Sequence, residues 1–165
     1  MDSLLIPSII TPSVTGSIAL ITYLFFRYQH QDNGLLEAFK VLNTEEHRTA
    51  RASVYRLYET YKKSKDLNVF FNEEVRKVRA DYDQMGTMVR AHSINKKQFL
   101  RQYGPSAYLC WKSLEDHIIH ERRLRNFEPF MRDFEWLVGQ ALKYWQWEGQ
   151  NLLTVRIHQE GLVID

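Results

Sequence analysis

Apolar residues follow two different patterns along the chain. From Ser3 to Phe26 they show no period, and 24 residues pass without a charge. From Asn33 onward they recur every third or fourth position between polar residues, the period of helices with one buried face. The first pattern suits a helix with an apolar environment on all sides, the second a water-soluble bundle.

A helix over Ser3–Phe26 is about 36 Å long, against a hydrocarbon core of about 30 Å. Pro7 falls in or before the first turn, where its missing N–H costs little. Pro12 breaks or kinks a helix that begins earlier, and a start at Pro12 leaves about 17 residues to Tyr28, the short end of the spanning range. Tyr23, Phe25, Phe26 and Tyr28 cluster at the far end with Arg27 among them, like an interfacial aromatic belt with a basic stop. A cleaved signal peptide is a competing reading, but the segment lacks a basic start and a small-residue cleavage site. A buried or interfacial helix is the third reading, because Ser, Thr and Pro dilute the run. The pattern predicts a single-pass transmembrane anchor over residues 1–28. Arg27 and Lys40 follow the run and only Asp2 precedes it, so the remaining domain is expected in the cytoplasm, at the cell membrane. Ser13 and Ser17, with Gly16 beside them, form a small-xxx-small pattern that would let two such helices pack.

The second pattern predicts an antiparallel helical bundle over 29–149. A short helix near Asn33 presents Leu35, Leu36, Phe39 and Leu42. Thr44 is a candidate N-cap, with Glu45 and Glu46 complementing the helix dipole. The helix it opens turns Ala50, Val54, Leu57, Tyr58 and Tyr61 to one side as far as Ser64. After a linker over Asp66–Phe71, Asn72 caps a helix with Val75, Val78, Tyr82, Met85 and Val89 on one face, ending at His92-Ser93. Asn95 and Gln98 resemble a capping box for a short helix to Tyr103. Gly104 suits C′ and Pro105 the first position of the next helix, which carries Ala107, Cys110, Trp111, Leu114 and Ile118 to near Arg125. Pro129 restarts the chain, and Phe130, Phe134, Leu137, Val138, Ala141, Leu142 and Trp145 make a wide face ending at Gly149. In the tail, 150–165, Leu153, Val155 and Ile157 alternate with polar residues before Gln159-Glu160-Gly161, a pattern for a small, loosely held hairpin. The fold class expected is all-α.

Composition narrows this only a little. With 165 residues and a net charge of +2 the chain fits one domain and gives no global signal for nucleic acid. The single cysteine, Cys110, and the lack of an Asn-x-Ser/Thr sequon argue against a disulfide-stapled secreted module.

The run Asp81-Tyr82-Asp83-Gln84-Met85-Gly86-Thr87-Met88-Val89, followed by Phe99, Tyr103-Gly104, Trp111, Leu114, Ile118, Arg122 and Phe134-Glu135-Trp136-Leu137, resembles an uncharacterised prokaryotic family of small proteins with a membrane helix and a helical domain of unknown function. The resemblance covers roughly residues 35–145. It implies an all-α fold and a membrane anchor, and no reaction.

The search for chemistry gives few candidates. His117 and His120, at i and i+3 with Glu121 and Asp116 adjacent, could ligate Zn²⁺ or Fe²⁺, but neither a His-Glu-x-x-His nor a di-iron Glu-x-x-His pattern is present. A solvated polar face is the better reading there. His47 is read as a core or capping histidine, and Cys110 as a structural thiol. The nucleophile elbow, the Walker A loop and the dinucleotide fingerprint are all missing. No histidine follows an arginine at the Arg-x4–6-His spacing used by some helical ribonucleases, so no catalytic residue and no cofactor is expected. Between Arg90 and Arg125, eight Lys/Arg stand against three Asp/Glu, with Arg122, Arg123 and Arg125 densest; this patch could meet phosphates of lipid or nucleic acid, or only its acidic neighbours. Trp136, Lys143, Tyr144 and Trp147 fall opposite the apolar face of the last helix and form a candidate partner surface. The expectation is a membrane-anchored interaction module or accessory subunit, touching the lipid bilayer and a protein partner or a second copy. An enzyme, or a domain binding an anionic ligand at an unrecognised site, is the alternative.

Overall fold

The computed structural model describes the backbone of residues 5–149, 156–158 and 161–163, and the side chains of residues 15–149. The order is α1 (Leu5–Leu42), α2 (Glu45–Ser64), a 3-10 turn (Leu67–Phe70), α3 (Glu73–Arg90), α4 (Lys96–Arg125), α5 (Arg132–Trp147), then β1 (Arg156–His158) and β2 (Gly161–Val163). The domain is all-α but for this small hairpin, whose strands pair antiparallel with Ile157 opposite Leu162. Leu153 and Val155 of the expected alternation lie outside the described residues.

Three caps form where the sequence places them. Thr44 accepts from the His47 amide, Asn72 from Val75 and Asn95 from Gln98. Each satisfies an amide left unpaired at a helix start. Most faces also close as patterned: Ala50 and Val54, Val75 to Val89, Phe99 to Ile118, and Phe134 to Ala141 share one core. The face expected near Asn33 does not: Ala38 and Leu42 are buried, while Leu36 and Phe39 are exposed.

Tertiary pairs give the directions. Along α1 and α2, Gln31 meets His92, His47 meets Asp81 and Tyr61 meets Phe70, so this pair runs antiparallel to α3. Asn43 bonds Tyr103, Tyr55 meets Cys110 and Tyr61 bonds Asp116, so α4 runs with α2. α5 runs with α3, from Phe130 near Arg79 to Trp136 near Arg90. The result is an up-down bundle of α2 to α5, with the second half of α1 stacked on the start of α2.

Two expected breaks do not occur. The anchor and the helix near Asn33 are one continuous helix, and its backbone passes through Pro7 and Pro12. Gly34 lies inside it. A Cβ there would lie 2.0 Å from the Ser93 carbonyl oxygen, so glycine lets α1 seat against the α3–α4 turn. Likewise Gly104-Pro105 does not divide α4. The Trp145 indole N–H donates to the Leu100 carbonyl at 3.0 Å, and a Cβ on Gly104 would lie 2.8 Å from that nitrogen. Packing against α5 outweighs the roughly 3 kcal/mol that an interior proline costs. Helix α5 also starts later than Pro129, after Met131 in a left-handed conformation.

Residues 15–28 of α1 stand clear of the core. Ile18, Leu20, Ile21, Tyr23, Leu24, Phe25, Phe26 and Tyr28 are all exposed. Among the described residues no helix is long and apolar enough to cross a membrane. The uncharged run expected to span begins at Ser3, and the side chains of its first twelve positions, with Ser13 of the small-residue pattern, lie outside the described residues.

Two glycines should respond in opposite directions. At Gly86 a Cβ would lie 2.2 Å from the Asp133 carbonyl oxygen, so Gly86→Ala forces α3 and α5 apart and costs roughly 1–3 kcal/mol. At Gly139 nothing lies within 4 Å, so Gly139→Ala should raise stability by about 0.5–1 kcal/mol through helix propensity. Thermal melts of the two variants check both signs.

Candidate functional site

A groove of about 480 Å³ opens between the start of α4 and the end of α5. From α4 come Lys96, Lys97 and Leu100; from α5 come Gln140, Lys143, Tyr144 and Trp147. The bond from Trp145 to Leu100, one turn in, sets the helix separation from which the groove widens. Lys96 donates to Gln140 Oε1 at 2.7 Å, and the Lys97 ammonium sits 5.3 Å from the centre of the Trp147 ring. The first turn of α4 carries no acid. Its free amides and the two lysines therefore give this end of the groove a positive field. Glu148 follows α5 directly, and desolvation and then its nearby carboxylate raise the Tyr144 pKa.

The candidate partner surface is thereby divided. Trp136 is half-buried against the core, with Arg90 at 5.5 Å and Lys96 at 6.0 Å from its ring. Tyr144 is half-buried and meets Trp145 edge-on. Lys143 and Trp147 remain exposed, Trp147 at 73%. The spacing puts the stripe opposite the packed face, but α4 and the end of α3 cover part of it.

The histidine cluster lies at the other end of the bundle, and it is not a solvated face. His117, Glu121 and Arg122 are buried, while His120 is half-exposed. Phe70 and Phe71 flank the His117 ring. Arg79 on α3 donates to His117 Nε2 at 3.1 Å and lies 3.8 Å from Glu121. This contact requires a lone pair on Nε2, so the neutral ring carries its proton on Nδ1, which is buried without a partner. Burial, then the Arg79 charge, pushes the His117 pKa down to about 4. A guanidinium thus occupies the place where a metal would bind, and no group of three potential ligands gathers among the described residues. The sequence pattern could not show this, since Arg79 is 38 positions away.

The basic patch is mostly committed to the fold. Arg122 donates to the Phe130 carbonyl and to Glu135, each at 2.8 Å. Arg125 meets Glu121 at 2.6 Å. Arg123 is exposed. Lys96 and Lys97, at the start of α4, are exposed as well, at the mouth of the groove.

His47 is fully buried. Its Nδ1 lies 2.7 Å from Asp81 Oδ2, and its Nε2 has no partner. Asp81 could not be paired with it from sequence, because α2 and α3 had no fixed register until the fold set one. Cys110 is buried with Tyr55 Oη at 3.5 Å, and burial pushes its thiol up to about 11, far from the reactive thiolate range.

Residues 19–141 match the family described as a domain of unknown function (DUF4760). No curated protein and no solved structure matches the chain.

Two measurements test this geometry. Trp136→Ala should lower the melting temperature by several degrees, because the ring packs on the core, whereas Trp147→Ala should shift it by less than about two. His117 is protonated at about 6.5 when unfolded and at about 4 when folded. Its contribution is full above about pH 6.5, falls as the pH drops, and levels off below about pH 4. The urea midpoint should therefore fall between pH 7 and pH 5, and fall less in His117→Gln.

Proposed function

The chain belongs to this family of unknown function, and on that footing we propose that it is a membrane-attached helical interaction module, an accessory component of a larger membrane assembly. The observation that carries the reading is the exposure of the apolar side chains from Ile18 to Tyr28. A helix lying on water keeps one polar face; one that is apolar all round needs an apolar medium. The uncharged run from Ser3 supplies 24 residues, enough for about 36 Å of helix. Arg27 and Lys40 on its far side favour the cytoplasmic side for the bundle. The bundle then offers the α4–α5 groove, with Lys143 and Trp147 exposed on it, as its binding face.

The groove also favours a second reading, a domain that binds an anionic ligand, since the charged groups reaching it from both helices are lysines. In this reading as in the first, the role is recognition and not catalysis.

Alkaline carbonate extraction of cell membranes tests the attachment. The full chain should stay in the pellet, and complete release would overturn the reading. Ile21→Lys with Leu24→Lys should move the protein to the supernatant. The bundle's melting temperature should not change, because both side chains are exposed.

A further inference from the structure

We propose that the groove between the start of α4 and the end of α5 is a headgroup site for an anionic phospholipid, drawn from the leaflet that α1 leaves. This rests on the reading that the first half of α1 enters a membrane.

Position is the first argument. The exposed apolar stretch of α1 ends at Tyr28. Three residues on, Gln31 donates to the His92 carbonyl at 3.3 Å, and Gly34 packs on Ser93. The α3–α4 turn therefore sits beside the first polar turns of α1, and Lys96 and Lys97 follow it directly. α4 then runs away from the exposed half of α1, as the bond from Asn43 to Tyr103 shows. α5 returns, so Lys143 and Trp147 come back to the same end. The groove is thus at the height where headgroups begin. Arg122, Arg123 and Arg125 are about 39 Å farther along α4, out of reach of that surface.

Chemistry is the second argument. Among the described residues no carboxylate lies within 4.0 Å of the Lys96, Lys97 or Lys143 ammonium. Lys96 meets only neutral groups, the Gln140 oxygen and the Trp136 ring. Three cations without counter-ions call for an anion with several oxygens, and a phosphodiester supplies it. The same groove carries Leu100, Tyr144 and Trp147, which give the glycerol and first methylenes an apolar wall. Exposed tryptophan beside lysine is a pairing suited to the interfacial layer, where a ring end is apolar and its other end wet. A free phosphate would use the lysines and leave that wall idle.

The test uses the full chain in neutral detergent micelles, so it does not depend on membrane insertion. Calorimetric titration with dihexanoyl-phosphatidylglycerol should show saturable binding, and dihexanoyl-phosphatidylcholine should show none. Lys96→Gln, Lys97→Gln and Lys143→Gln together should weaken it at least about tenfold, with the melting temperature retained because all three are exposed. The matched control Lys62→Gln, Lys63→Gln and Arg123→Gln removes as much charge elsewhere and should leave it intact. Binding unaffected by the groove variant overturns the proposal. So does inorganic phosphate competing at equal affinity, which would make this a free-anion site. A polyglutamate peptide bound with the same lysine dependence, without preference between the two lipids, overturns it in favour of an acidic protein partner. Carbonate release with retained micelle binding would instead remove the attachment reading and leave the headgroup site standing.

Discussion

Tyr82 is the point at which all four bundle helices meet. It is among the largest side chains with no exposed surface. Its ring stacks on Phe134 of α5 at 5.2 Å and 13°, and meets His47 of α2 edge-on at 5.5 Å. Its hydroxyl donates to Ser106 of α4 at 3.0 Å. Burying a phenol without a partner would cost a few kcal/mol, so Ser106 must face this point, and α4 must be turned to put it there. That rotation aims Trp111 at Phe134 and brings Cys110 to Tyr55. One buried hydroxyl thus fixes the rotation of a 30-residue helix, and the rotation decides which lysines of α4 look outward.

The polar contacts outside this centre divide by end. At the far end Arg79 bonds His117 and Glu121, Glu121 meets Arg125, and Arg122 reaches Phe130 and Glu135, so α3, α4 and the entry to α5 are stitched together. At the near end Asp83 accepts from the Phe134 amide and Asp133 from Thr87 and Arg90, so α5 is capped by side chains of α3. These contacts explain why Gly86 must be bare. The lysines at the mouth of the α4–α5 groove take no part in either set of contacts.

What could be read from the sequence was local. The caps at Thr44, Asn72 and Asn95 and the three-and-four spacing of Val75 to Val89 depend on neighbours within a turn or two, and they formed as read. What could not be read was decided by partners far along the chain. Asn33 looks like a helix start and Gly104-Pro105 like a break until Ser93 and Trp145 are known to press against Gly34 and Gly104. Glu121 and Arg122 look solvated until Arg79 and Glu135 arrive. Trp136 looks outward until Arg90 and Lys96 cover it. The groove escaped notice for the same reason: Lys96 and Lys97 are two ordinary surface lysines in sequence, and only the return of α5 makes them a wall.

The unbroken course of α1 has a mechanical consequence. From Tyr28 to its seat at Gly34 and on to Leu42 there is no joint; the same rod that carries the exposed apolar side chains is packed into the core by Ala38 and Leu42. Whatever grips the first half of that rod sets the tilt and azimuth of the whole domain, with no swivel to absorb a mismatch. A twist applied at one end is delivered as torque at the other. The first place along the chain that can yield is the two-residue step at Asn43-Thr44, where α1 gives way to α2.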